Sequence, residues 1–110
     1  MFEAHEIAVE IVKLVKPVLD AVASHDPDLQ KQLRRAAPSI LFNISEGSRR
    51  TGKDRTFLFN VAAGSAAEVR DVITVAEAWG FVSPSSTLAL RDRLERELKI
   101  LWRLTHPRGQ

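Results

Sequence analysis

The run Gly47-Ser48-Arg49-Arg50-Thr51-Gly52-Lys53-Asp54 has the G-x-x-x-x-G-K spacing of a phosphate-binding loop. In such a loop backbone amides cradle phosphates, and a final Ser or Thr hydroxyl holds magnesium. Asp54 stands in that last place, so the hydroxyl ligand is missing and an anion replaces it. The run also follows an amphipathic helical pattern, whereas a phosphate loop follows a buried strand. Nucleotide hydrolysis is therefore not expected. Carboxylate di-iron chemistry in helical bundles needs Glu-x-x-His pairs facing the core. Three residues before His5, His25 and His106 stand Phe2, Val22 and Arg103, so no histidine completes that spacing. All three histidines fall near expected helix ends, and nothing places one beside a serine as a general base. Cysteine is absent, which removes disulfides, zinc knuckles and thiol catalysis. No catalytic residue, metal ligand or cofactor is expected, and the chain reads as non-enzymatic.

Polar residues that interrupt apolar patterns carry more information. Arg35, Ser39, Asn43 and Glu46 recur at spacings of four, four and three, a polar stripe beside an apolar one. Further on, Asn60, Ser65 and Glu68 flank the stretch Ala62-Ala63-Gly64-Ser65-Ala66-Ala67, whose small side chains let a neighbouring backbone approach. Ser39, Asn43, Glu46, Ser65 and Glu68 are expected to form a hydrogen-bonded network that fixes the register of two closely packed helices, in preference to a catalytic role.

Four helices are needed to position these residues. The first is expected over Phe2 to Ser24, with Ile7, Ile11, Leu14, Val15, Val18, Leu19 and Val22 on one face and a kink at Pro17. The second starts at Asp26-Pro27, where Asp accepts from free amides and Pro occupies a position whose N–H is not needed. Its core stripe is Leu29, Leu33, Ala36, Ala37, Ile40 and Ile44, running through Pro38 without losing phase and ending near Gly47 to Arg50. After a turn at Thr51 to Asp54, the third helix runs from Asp54 to Trp79. Its expected inner side is Phe57, Val61, Gly64 or Ser65, Val69 or Val72, Ile73 and Ala76, and Gly80 stops it. The fourth follows Ser83-Pro84, with Leu88, Leu90 or Arg91, Leu94, Leu98, Leu101 and Trp102 or Leu104 inward, and ends at His106-Pro107. No segment sustains period-two alternation, and the short turns suit antiparallel neighbours. The expected fold is all-α: one domain over residues 1–110, an antiparallel up-down-up-down four-helix bundle.

The chain has 110 residues, 45% hydrophobic and 27% charged, and a formal charge of +2 that hides a segregation. Residues 1–29 hold two lysines and six acids, a balance of −4. Residues 30–55 hold seven bases and two acids, a balance of +5, and the remainder is +1. This asymmetry suggests an acidic partner for the middle segment, the alternative being an ordinary solvated charged face. The glutamates at the N-terminus are the wrong charge for a secretory leader, and no uncharged apolar run approaches the length of a membrane span. A cytoplasmic location and no membrane partner are expected.

Taken together, Gln32-Leu33-Arg34-Arg35-Ala36-Ala37-Pro38-Ser39-Ile40, Asn43-Ile44-Ser45-Glu46-Gly47 and Ala63-Gly64-Ser65-Ala66-Ala67-Glu68 resemble the signature of a bacterial four-helix bundle family. That family includes proteins encoded in intervening sequences of 23S rRNA genes and is related to the accessory variability proteins of diversity-generating retroelements. The resemblance implies a homopentameric ring of antiparallel bundles, with RNA or DNA and a reverse transcriptase as partners. Its signature residues here are Arg34, Arg35, Ser39, Asn43, Glu46, Ser65 and Glu68, which look architectural.

The family fixes no phosphate-contacting motif, so those residues come from the charge count: Arg49, Arg50, Lys53 and Arg55, joined by Arg34 and Arg35 if exposed. Aromatic side chains do not interleave with these bases in sequence, so binding should be phosphate-directed and indifferent to sequence. Two functions compete: a non-enzymatic, oligomeric nucleic-acid-binding accessory, and a structural or protein–protein interaction module in which Arg34 and Arg35 pair with acids of a neighbour. Phe59, Trp79, Phe81 and Trp102 are candidates for a subunit interface or for the core.

Overall fold

The computed structural model describes residues 2–107. It contains four helices: α1 (Glu3–Ala23), α2 (Pro27–Ser48), α3 (Gly52–Ala78) and α4 (Leu88–Thr105), with a 3₁₀ turn at Pro84–Thr87 before α4. Each helix packs on its neighbour in sequence, and α1 packs on α4, which closes an antiparallel four-helix bundle. Among the described residues there is no strand.

The helix ends follow from local chemistry. At the start of α2 the Asp26 carboxylate accepts from the Leu29 amide at 3.0 Å, and Pro27 takes the first helical position. The helices α1 and α2 continue without a break through Pro17 and Pro38. Between α2 and α3 the chain reverses within Arg49 to Thr51, aided by Gly52 at φ +60°, a left-handed conformation that favours glycine. The third helix therefore begins two residues earlier than its apolar pattern suggested. Its far end is closed by Gly80 at φ +76°: the Gly80 amide bonds the Glu77 carbonyl at 3.0 Å and the Phe81 amide bonds the Ala76 carbonyl at 2.8 Å. This double bond pattern satisfies two carbonyls that the helix end leaves open.

The core stripe of α2 is the expected one, with Leu29, Leu33, Ala36, Ala37, Ile40 and Ile44 all buried. On α1, Ala4 and Ala8 join Ile7, Ile11, Val15, Val18 and Val22, while Leu14 and Leu19 lie at the core's edge. The expectation for α3 needs correction. Phe57 is exposed, and the inner face is Phe59, Ala62, Ala66, Val69, Val72, Ile73 and Ala76. Alanines supply little hydrophobic contrast, so the first half of α3 gave no firm phase, and a shift of two residues turns a side chain through about 200°. On α4, Leu90, Leu94 and Leu101 are buried as expected, but Leu88 and Trp102 are exposed.

Ion pairs brace the outside. Arg96 holds Glu3 through two bonds of 2.9 Å, tying α4 to the first turn of α1 and holding the Glu3 carboxyl below the usual carboxylate range. Across the α3–α4 connection, Glu77 Oε2 accepts from Arg91 Nε at 2.9 Å and from the buried Thr87 hydroxyl at 2.6 Å. Arg91 and then Thr87 lower the Glu77 pKa. No helix among the described residues is long and apolar enough to cross a membrane.

Candidate nucleic-acid interface

The exposed side of α2 carries the first basic group. Because Leu33, Ala36, Ala37 and Ile40 turn inward, Lys31, Arg34 and Arg35 must turn out, and all three are exposed. They alone line a shallow depression of about 290 Å³. The second group lies at the other end of α2: Arg49, Arg50, Lys53 and Arg55. Arg35 and Arg49 are fourteen residues apart, which places the groups about 21 Å from each other along the helix at 1.5 Å per residue. The six bases expected to contact phosphate thus form two separate clusters.

Within the second cluster the arginines are unequal. Glu46 accepts from Arg49 Nη2 at 2.6 Å and from Arg50 Nε at 2.9 Å, so one carboxylate engages both guanidinium groups. The bonds from Arg50 and then Arg49 hold its pKa below the usual carboxylate range. Lys53 is exposed, and among the described residues neither Lys53 nor Arg55 takes part in an ion pair. Arg55 instead lies over the Phe59 ring, 4.9 Å from its centroid.

Three of the five residues expected to form a network are bonded together. Ser39 Oγ lies 2.8 Å from Ser65 Oγ, bridging α2 and α3. Asn43 Nδ2 donates to Ser39 Oγ at 3.1 Å and to the Ser39 carbonyl at 2.8 Å, leaving the Ser39 hydroxyl proton available to Ser65. Glu46 and Glu68 depart from the expectation: Glu46 turns to its two arginines, and Glu68 is exposed on α3. Asn60 is exposed as well.

The phosphate-loop look-alike resolves into a helix–turn–helix, with packing as the reason for its first glycine. A β-carbon on Gly47 would stand 2.8 Å from two carbons of the Phe59 ring. The close approach of α2 and α3 is therefore made at Gly47, whereas Gly64 in the small-residue stretch is exposed and has open space beside it.

Two features lay outside the sequence reading. Phe42 and Phe57 are each 66% exposed, so aromatic rings do stand among the bases: Phe42 is seven residues from Arg35 and seven from Arg49 on the same helical face. Exposure of an aromatic ring in a helix is not visible until the helix phase is known. The other is Glu97, fully buried in α4 with neither carboxylate oxygen hydrogen-bonded. Burial, and secondarily the charge of Glu3, push its pKa up to about 8, against a smaller opposing effect of Arg93. The signal was the spacing Leu90, Leu94, Glu97, Leu101, which puts a carboxylate in register with leucines. Among the described residues no group of three histidines, aspartates or glutamates is arranged to hold a metal ion.

No curated protein matches the sequence. Among solved structures, a protein of unknown function from the S23 ribosomal protein family of Bacteroides thetaiotaomicron VPI-5482 superposes with a TM-score of 0.83. The match covers 94% of this chain and 98% of that one at 17% sequence identity, which shows a shared four-helix fold. The sequence model of the 23S rRNA-intervening sequence proteins matches residues 1–103, nearly the whole chain. By that match, the chain belongs to the 23S rRNA-intervening sequence protein family.

Proposed function

We propose that this chain is a non-enzymatic accessory protein that binds RNA or DNA through phosphate contacts and acts as a homo-oligomer, a pentamer by family resemblance. The observation that carries this reading is where positive charge is left unneutralised. On α4, Arg91, Arg93 and Arg96 are paired with Glu77, Asp92 and Glu10, and Glu3, which leaves Lys99 and Arg103 as the unpaired bases of that helix among the described residues. On α2 and the start of α3, Arg34, Arg35, Lys53 and Arg55 have no acidic partner among the described residues. Unpaired surface cations at this density attract polyanions and release the counterions condensed on them.

Binding of a labelled duplex measured against salt tests the reading. Four phosphate contacts predict a log–log slope of about −3.6 on duplex DNA. The double changes Arg34→Glu with Arg35→Glu, and Lys53→Glu with Arg55→Glu, should each weaken binding. Absence of binding at low salt, or indifference to both pairs of changes, rejects it.

A structural or protein–protein interaction module without nucleic-acid binding is the second reading. It is favoured by Phe42, Trp79, Leu88 and Trp102, each more than half exposed, and a reverse transcriptase is the partner that the resemblance suggests. Charge reversal at Lys53 and Arg55 would then leave partner capture intact, while changes at Trp79 or Trp102 would abolish it.

A further inference from the structure

An open groove of about 710 Å³ runs between the start of α3 and the last turn of α4, within the range of small-ligand sites. Lys53 and Arg55 bring positive charge to it, Phe57 an aromatic face and Asn60 an amide, while Leu104 and Thr105 form the α4 wall. Among the described residues no carboxylate lines it. On the other side of Phe57, the neighbouring hollow carries Glu46 and Asp54 against the single base Arg50. Phe57 is thus a ridge between an acid-free groove and an acid-bearing one, and an anion is directed to the first.

The residues fall in order along one stripe. Lys53, Phe57 and Asn60 are spaced by four and three, so cation, ring and amide succeed one another on a single face of α3. Folding does not account for this ring: Phe59 fills the core position, and Phe57 remains 66% exposed. A phosphate-sized charge site, a flat apolar face and a group that both donates and accepts are the three elements that recognise a nucleotide.

We infer that this groove takes one nucleotide of a single strand, with its phosphate between Lys53 and Arg55, its base stacked on Phe57 and the base edge at Asn60. The inference rests on the phosphate-binding reading above and adds a substrate class to it. A base inside a duplex has both faces stacked and cannot lie on Phe57, so the groove confers a preference for single strands over duplex.

The test uses the full chain with oligothymidylate and a duplex of matched length, comparing wild type, Phe57→Ala and Phe57→Trp by fluorescence anisotropy. Phe57→Ala is expected to weaken oligothymidylate binding about tenfold, within the contribution of one base–aromatic stack, and to change duplex binding less than about twofold. Phe57→Trp should restore the single-strand affinity, which a merely structural role for Phe57 would not. The ring is exposed, so its truncation leaves the core intact, and unchanged thermal unfolding verifies this.

Equal losses on both substrates, or no loss on either, overturn the inference, while the phosphate reading stands provided wild type binds and the Lys53 and Arg55 changes weaken it. Wild type that binds neither polymer removes both. Thymidine monophosphate in millimolar excess should leave the oligonucleotide bound; its displacement would assign the groove to a free nucleotide and overturn the strand assignment.

Discussion

Gly47 lies against Phe59 so closely that a β-carbon there would stand 2.8 Å from two carbons of the ring. The ring has little room to retreat. It is fully buried, Phe2 meets it edge-on at 6.3 Å between centroids, and Arg55 lies over it at 4.9 Å. Gly47→Ala should therefore lower stability despite the better helix propensity of alanine. Overpacking costs about 1–3 kcal/mol and the propensity gain returns about 1 kcal/mol. A net loss of up to about 2 kcal/mol in urea unfolding is expected. Gly64→Ala, in mid-helix with open space beside it, should instead raise stability by up to about 1 kcal/mol. Stabilisation by both changes would contradict the packing described here.

These two glycines also show where the fold was legible in the sequence. Long aliphatic side chains state a helix phase strongly, and every expected core residue of α2 is buried. The seam between α2 and α3 does run through the alanine-rich stretch, where Ser65 meets Ser39, but small residues mark proximity without marking which side faces the partner. As a result Phe57 and Phe59 exchanged roles, and the groove beside Phe57 stayed hidden. The basic residues were identifiable by type. Their division into two clusters, and the capture of Arg49 and Arg50 by Glu46, are matters of rotamer and distance that no residue count conveys.

The buried Glu97 makes stability depend on pH in a defined direction. Its pKa is about 8 in the folded chain against 4.5 for an exposed glutamate, so the folded state holds a proton that the unfolded state has released between those values. Stability therefore falls as pH rises from 4.5 to 8, and is level on either side of that window as far as this group is concerned. The lowered carboxyls of Glu3, Glu46 and Glu77 act oppositely at acid pH, losing their contribution as pH falls through their depressed values. Comparison with Glu97→Leu separates the two. The variant should gain stability relative to wild type as pH increases, by roughly 3–5 kcal/mol between pH 4 and pH 9. A constant difference across that range would show that Glu97 is not protonated in the folded state.

Assembly is expected from the apolar surface. Trp102 stacks on His106 at 4.3 Å with the rings 9° from parallel, yet 60% of its surface is exposed. One face of the indole is thus covered within the chain and the other is free to meet a neighbour. For the pentamer that the family resemblance implies, light scattering should return about five times the chain mass of 12.3 kDa for wild type. For Trp102→Glu, which places a charge on the free face of the indole, the mass should fall toward that of one chain if this face carries the proposed contact. A wild-type mass of 12.3 kDa would reject assembly, and an unchanged variant mass would move the interface elsewhere.

Glu46 competes with phosphate for the two arginines it holds. A carboxylate that accepts from both Arg49 and Arg50 cancels one of their two charges, and any phosphate at this turn must displace it or share them. Glu46→Gln should consequently tighten nucleic-acid binding and steepen the salt dependence, by up to about 1.8 in log–log slope if both arginines join the contact on duplex DNA. The fold should be little affected, since exposed ion pairs of this kind contribute little to stability. Charge alone does not determine the outcome, because the same bonds also hold the guanidinium groups in place at the end of α2. If the variant binds more weakly than wild type with an unchanged slope, Glu46 orients the arginines and does not mask them. If it binds more tightly with a steeper slope, the turn holds two latent phosphate contacts beside the unpaired Lys53 and Arg55.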